Sequence, residues 1–143
     1  MKNTIINFEK KYSNTGYDRV SNPNNLSVLE LLPDGFSWSY NGVKHQRKNN
    51  NKFIPLLLKD ANAIAVVEAP FNKNKNAAFI LNPDNSIMWD ISDIYRKMMA
   101  VDFFSDVYYM NNELFYFLHS NGKDFRFSFD IKTGLCGKLT PSY

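Results

Sequence analysis

The chain has 143 residues, 44% of them hydrophobic, and a formal net charge of +3. That is enough for one domain with its own core, and too apolar for wholesale disorder. One cysteine, six glycines and no apolar run near ~18 residues exclude disulfide-scaffold, collagen-like and helical membrane-spanning classes.

In chain order, 1–25 is polar and irregular, with room for a short helix on Ile5, Phe8 and Tyr12. The opening residues hold no apolar stretch of signal-peptide type, and the lone Cys136 fits a reducing compartment, so the chain is read as cytoplasmic. From 26 onward the pattern is β. Leu26–Leu32 is an apolar run ended by the turn Pro33-Asp34-Gly35. Phe36, Trp38 and Tyr40 alternate with Ser37 and Ser39, and Asn41-Gly42 marks a two-residue hairpin into Val43–Arg47. Two further apolar runs, 53–58 and 63–69, flank a turn at Lys59–Asn62, and an Asn- and Lys-rich loop follows at 70–76. Ala77–Leu81 and Ser86–Ile91 flank Asn82-Pro83-Asp84-Asn85. Ser92 as N-cap, Asp93 in the first turn and apolar Ile94, Met98 and Met99 predict a short helix over 92–100. The last forty residues read as a meander, in which Phe125, Phe127 and Phe129 alternate with Arg126, Ser128 and Asp130.

The turns resemble one another. Phe79–Ile87 matches Phe127–Leu135 at an offset of 48, and Leu29–Gly35 matches the first at 50. Units of 40–50 residues with about four strands are what propeller blades give; reused turn chemistry in any meander is the alternative. The expected fold is therefore all-β, one domain over 1–143. It is an antiparallel meander of nine to eleven strands, as a β-sandwich or a partial-propeller-like stack of sheets, with one or two short helices.

Nothing in the chain carries a specific catalytic or metal signature. There is no Cys-x-x-Cys, no Gly-rich phosphate loop and no serine elbow, so no cofactor is expected and the chain is read as non-enzymatic. His119 and Cys136 make a nucleophilic pair only if they meet in space. Charge is unevenly placed. Lys44, Arg47, Lys48, Lys52 and Lys59 fall within sixteen residues without an acid, near Trp38 and Tyr40; these are either a solvated loop or a small nucleic-acid- or carbohydrate-binding module. Asp84, Asp90, Asp93, Asp102, Asp106 and Glu113 face only Arg96 and Lys97. They are either solvated strand faces or an acidic patch for a basic partner. The 19 asparagines are also what an AT-rich coding sequence produces.

The layout from Ala77 to Leu139, ending in the Phe-Ser-Phe-Asp-Ile-Lys-Thr-Gly meander (Phe127–Gly134), resembles small bacterial immunity proteins of contact-dependent growth inhibition and polymorphic toxin systems. The resemblance implies a protein that binds one cognate toxin domain, as a 1:1 heterodimer, and occludes its active site. Many such toxins are nucleases with cationic sites. It further implies that Asp90, Asp93, Asp102, Asp106 and Glu113 pair with toxin cations, with Tyr95, Tyr108 and Tyr109 as aromatic anchors. No membrane and no nucleic-acid partner are expected, and the positive total charge departs from the acidic habit of nuclease inhibitors.

Overall fold

A computed structural model describes residues 4–12, 16–49, 51–70 and 76–142. Most of the Asn/Lys-rich loop expected at 70–76 lies outside them, as do Lys73 and Lys75. The elements in order are β1 (Ile6–Lys11), α1 (Val28–Leu31), β2 (Gly35–Tyr40), β3 (Val43–Lys48), β4 (Phe53–Leu57), β5 (Ile64–Glu68), β6 (Ala77–Leu81), β7 (Ile87–Asp90), α2 (Ile91–Arg96), β8 (Phe103–Met110), β9 (Glu113–Ser120), β10 (Lys123–Asp130), β11 (Leu135–Cys136) and β12 (Thr140–Pro141). The strands form three antiparallel sheets: β1-β2-β3, then β4-β5-β6-β7, then β8-β9-β10 with β11 and β12 both on the far edge of β10.

The middle sheet is buried on both faces. Ile64, Val66, Phe79 and Leu81 pack with Phe36, Trp38 and Phe53 in a core shared with the first sheet. The alternate residues Ala65, Val67, Ala78 and Ile80 pack with Phe104, Val107, Tyr116, Leu118 and Phe127 of the third. This explains why 63–69 and 77–81 read as continuous apolar runs rather than alternating ones. The outer sheets alternate because each has one face turned away from the stack.

Asparagine makes the turns. Eight of the ten non-glycine residues with positive φ among the described residues are Asn. Asn41-Gly42, Asn111-Asn112 and Asn121-Gly122 put two such residues in succession between paired strands, as a type I′ turn requires. The asparagine excess thus has a conformational use, since Asn tolerates the left-handed region better than other residues bearing a Cβ.

The offset of 48 is a structural repeat. The β6–β7 and β10–β11 hairpins hold corresponding places in the second and third sheets. Two equivalent clasps tie the layers. The Trp38 indole N–H donates to the Pro83 carbonyl at 2.8 Å, and Trp89 donates to Ile131 at 2.8 Å. Pro83 and Ile131 lie 48 positions apart, each second in its turn. The ring of Trp89 rests on Gly134, where an added Cβ would meet the ring at 2.4 Å.

Four local expectations change. Residues 6–11 form a strand rather than a short helix, because they pair with β2. Leu29–Leu31 is helical, so the first of the three resembling turns is not a repeat unit. Ser27 and Glu30 make a reciprocal capping box there, a local signal that outweighs the apolar run. The second helix begins at Ile91 with Asp90 as its cap; Ser92 instead donates to Asp90 and to the Ala78 carbonyl. Twelve strands are present among the described residues, because the last hairpin breaks into the two-residue pieces β11 and β12.

Candidate partner-binding face

The third sheet packs its inner face on the middle sheet and leaves its outer face uncovered among the described residues. Register defines that outer face: Phe103 opposite His119, Asp106 opposite Phe117, Tyr108 opposite Phe115, and Met110 opposite Glu113. On β10, Asp124, Arg126 and Ser128 extend it. Phe103, Phe115, Phe117 and Tyr108 belong to neither core. Three of them stack on the same face. Tyr108 lies 4.4 Å from Phe117 at 17°, and Phe103 lies 5.0 Å from His119 at 11°. Phe117 is only 7% exposed, while Tyr108 above it is 42% exposed.

A β-bulge completes this face. The β8–β9 register shifts between Phe104 and Asp106, which leaves Ser105 unpaired. Asp106 and Tyr108 outward, with Val107 and Tyr109 inward, keep the unbroken register of the Asn111-Asn112 turn, and the extra residue resets the phase beyond them so that Phe103 shares the outer face and Phe104 reaches the core. Without it Phe103 and Phe104 would exchange places.

The face is acidic. Asp106, Glu113, Asp124 and Asp130 accompany Arg126 and His119. Asp124 holds His119 Nδ1 at 2.9 Å. Asp106 is half-buried; its Oδ1 accepts the Val107 N–H at 2.8 Å, and burial pushes its carboxyl above the ordinary aspartate value. A groove of about 630 Å³ opens where the face meets the β10–β11 turn, lined by Leu58, Tyr109, Glu113, Phe129 and Leu135 among others. Cys136 also lines it, with a thiol that burial makes less acidic than usual.

The opposite end of the stack differs in kind. The outer face of the first sheet carries Lys11, Lys44, Lys48, Gln46, Ser37 and Ser39, with Glu9 paired to Lys11 at 2.6 Å. Only Lys44 and Lys48 of the basic stretch, and Asp106 and Glu113 of the acidic one, reach these two end faces.

The sequence-predicted residues divide accordingly. Asp106, Tyr108 and Glu113 share the outer face. Asp102 stands at its margin, where its carboxylate accepts the Asn121 N–H at 3.1 Å and braces the β9–β10 turn. Asp90 caps α2, and Asp93 pairs with Lys97 at 3.1 Å on that helix, away from the face. Tyr95 is 4% exposed, stacked 4.0 Å from Phe127, with its hydroxyl pKa pushed up to about 12 by burial, so its ring belongs to the core. Tyr109 faces inward, and its hydroxyl accepts the Lys59 N–H at 3.2 Å. Phe117, His119 and Arg126 join the site through strand register, a signal the sequence carries once the two flanking Asn turns are fixed, whereas Phe103 joins it only through the bulge at Ser105.

The other chemistry raised by the sequence separates in space. Trp38 is 1% exposed in the core and offers no stacking face, and Tyr40 packs in part against the same core; Arg47 bonds Asn85 at 2.8 Å and Lys59 bonds Asn112 at 2.6 Å. His119 and Cys136 sit opposite Asp124 and Phe129 of β10, about 16 Å apart along the strand and on different faces. Among the described residues no group of three or more His, Cys, Asp or Glu is placed to hold a metal ion. No helix there is long and apolar enough to cross a membrane.

No protein-family model and no curated protein matches the chain. A solved structure does: a chain from the structure of Tne2 in complex with Tni2 superposes with a TM-score of 0.68 at 11% identity, over 98% of this chain and 100% of that one. At that identity the likeness is one of fold.

Proposed function

We propose that this protein is an immunity protein that binds a cognate bacterial toxin domain one to one and covers its active site, acting without chemistry of its own. The observation that carries the reading is the outer face of the third sheet: a stacked aromatic surface, acidic at its edges, outside both cores. Large amphipathic rings around a desolvated charge are the usual composition of a protein interface centre. The shared fold supports it as well, since Tni2, an immunity protein, stands in that solved structure in complex with Tne2. The acidic edge favours a toxin with a cationic site, which is the chemistry of a nuclease, and a contact-dependent delivery system with inhibition in the cytoplasm completes the proposal. The test needs a toxin domain encoded beside this gene, and the absence of any such gene would itself count against the reading. The two proteins should co-elute as a 1:1 complex, and nucleic-acid cleavage by the toxin domain should stop at one equivalent of inhibitor. Separate elution with unchanged cleavage would reject the reading.

A further inference from the structure

We propose that the corner formed by Asp106 and Tyr108 over Phe117 is the seat of one arginine side chain of the partner, its guanidinium paired with the Asp106 carboxylate and its stem laid against the exposed Tyr108 ring. This rests on the inhibitor reading for the partner's identity, but the chemistry of the seat is argued from the face itself.

Asp106 stands among aromatic rather than polar neighbours. Across the sheet it faces Phe117, and along its own strand the next outward residue is Tyr108. Its Oδ1 is satisfied by the Val107 N–H; its second oxygen has no hydrogen-bond partner, and the carboxylate makes no ion pair, among the described residues. The nearest cation by register is Arg126, two strands away beyond Phe117, and its guanidinium donates to the Pro141 carbonyl at 3.3 Å. Burial, the first cause, holds the Asp106 carboxyl above the ordinary value, and among the described residues only the Val107 N–H works against it. A half-buried carboxylate without a counter-ion costs stability, and a partner cation relieves that cost on binding.

The surroundings choose arginine over lysine. A guanidinium is planar, weakly hydrated and able to fork onto a carboxylate while packing against aromatic rings; an ammonium gives up more hydration to reach the same place. Tyr108, stacked on Phe117 and 42% exposed, offers a ring that is already immobilised. Little side-chain entropy is left to lose there when the partner arrives.

The probe is a blocked Gly-Arg-Gly peptide, with Gly-Lys-Gly as its control, titrated into the isotopically labelled full chain. Amide shifts should move saturably at 106–108 and 115–117 with the arginine peptide, and markedly less with the lysine one. Asp106→Asn should abolish the saturable shifts while the rest of the spectrum stays in place. Absent shifts, equal response to both peptides, or a response that survives Asp106→Asn would each overturn the seat. The neighbouring toxin domain separates the two claims. Should wild type bind it and Asp106→Asn bind it as tightly, the seat falls and the inhibitor reading stands. Should the arginine peptide bind and the toxin domain not, the inhibitor reading falls alone. The expected result is a loss of toxin affinity of roughly thirtyfold or more on Asp106→Asn.

Discussion

Asp106 shows how one residue can work against the fold that holds it. Its carboxyl binds a proton more tightly in the folded chain than in the unfolded one, because burial disfavours the charge. The sign follows from linkage. Stability from this group is greatest when it is protonated, declines as pH rises from the ordinary aspartate value through the raised folded value, and its penalty is fully present at neutrality. Asp106→Asn should therefore raise the urea midpoint of the isolated chain at pH 7. The gain should vanish in acid below both values, and equal midpoints across that range would refute the assignment. Exposed acids titrate the other way: hydrogen bonds from Ser86 hold Asp84, and those from Ser27 hold Glu30, below their ordinary values. The difference between variant and wild type, rather than either curve alone, is what isolates Asp106.

At the scale of elements, the duplicated hairpins and their tryptophans set the spacing of the layers. The β10–β11 turn closes on Trp89 through a hydrogen bond and through direct contact at Gly134, which has φ of +74° and no room for a Cβ. Gly134→Ala should destabilise the chain by about 2 kcal/mol or more, from left-handed strain and from displacement of the indole. Urea unfolding read by tryptophan fluorescence would register both the lower midpoint and the altered ring environment. Gly42 is the useful contrast: it has φ of +78° but nothing near its Cβ position, so its alanine variant should suffer strain alone and lose less. Equal losses at the two sites would mean that contact with Trp89 contributes nothing. The bulge at Ser105 acts at the same scale, because one unpaired residue decides which of two adjacent phenylalanines, Phe103 or Phe104, joins the outer face.

Across the whole molecule, strand register in the three-layer stack gathers lysines on one end face and carboxylates on the other, drawing them from separate parts of the chain. A basic, serine-lined face closes one end, and an acidic, aromatic one closes the other. If the aromatic end is where a cationic partner docks, charge reversal should matter there and not opposite. Lys44→Glu with Lys48→Glu should leave toxin affinity within about threefold, by weak long-range effects alone. Glu113→Lys with Asp124→Lys should slow association and steepen the loss of binding. Surface-binding kinetics at low and moderate salt would check both, and a dominant effect from the lysine pair would move the interface to the first sheet.

Much of this architecture was legible in the sequence, since turn chemistry is local. Asn41-Gly42, Asn121-Gly122 and the Asn82–Asn85 turn mark hairpins whatever surrounds them, because they supply backbone conformations that few other residues tolerate. The apolar runs at 63–69 and 77–81 were legible as strands, though not as a sheet buried on both faces, and the offset of 48 marked similar hairpins without separating a repeat from reused turn chemistry. Residues 6–11 were not legible as a strand, because the partner that makes them one begins more than twenty residues later. Capping at Ser27 and Asp90 was present in the sequence but competed with an apolar run and with Ser92. Tertiary structure alone decided which acids and tyrosines of 84–113 face outward. Asp90 serves a helix, Tyr95 fills the core, the burial of Leu114 and Tyr116 turns Asp106 and Tyr108 out and Tyr109 in, and the Ser105 bulge brings Phe103 to the same outer face. The physical reason is that a strand has a period of two, so a single inserted residue reverses every side chain beyond it, and only pairing with the neighbouring strand reveals where that residue lies.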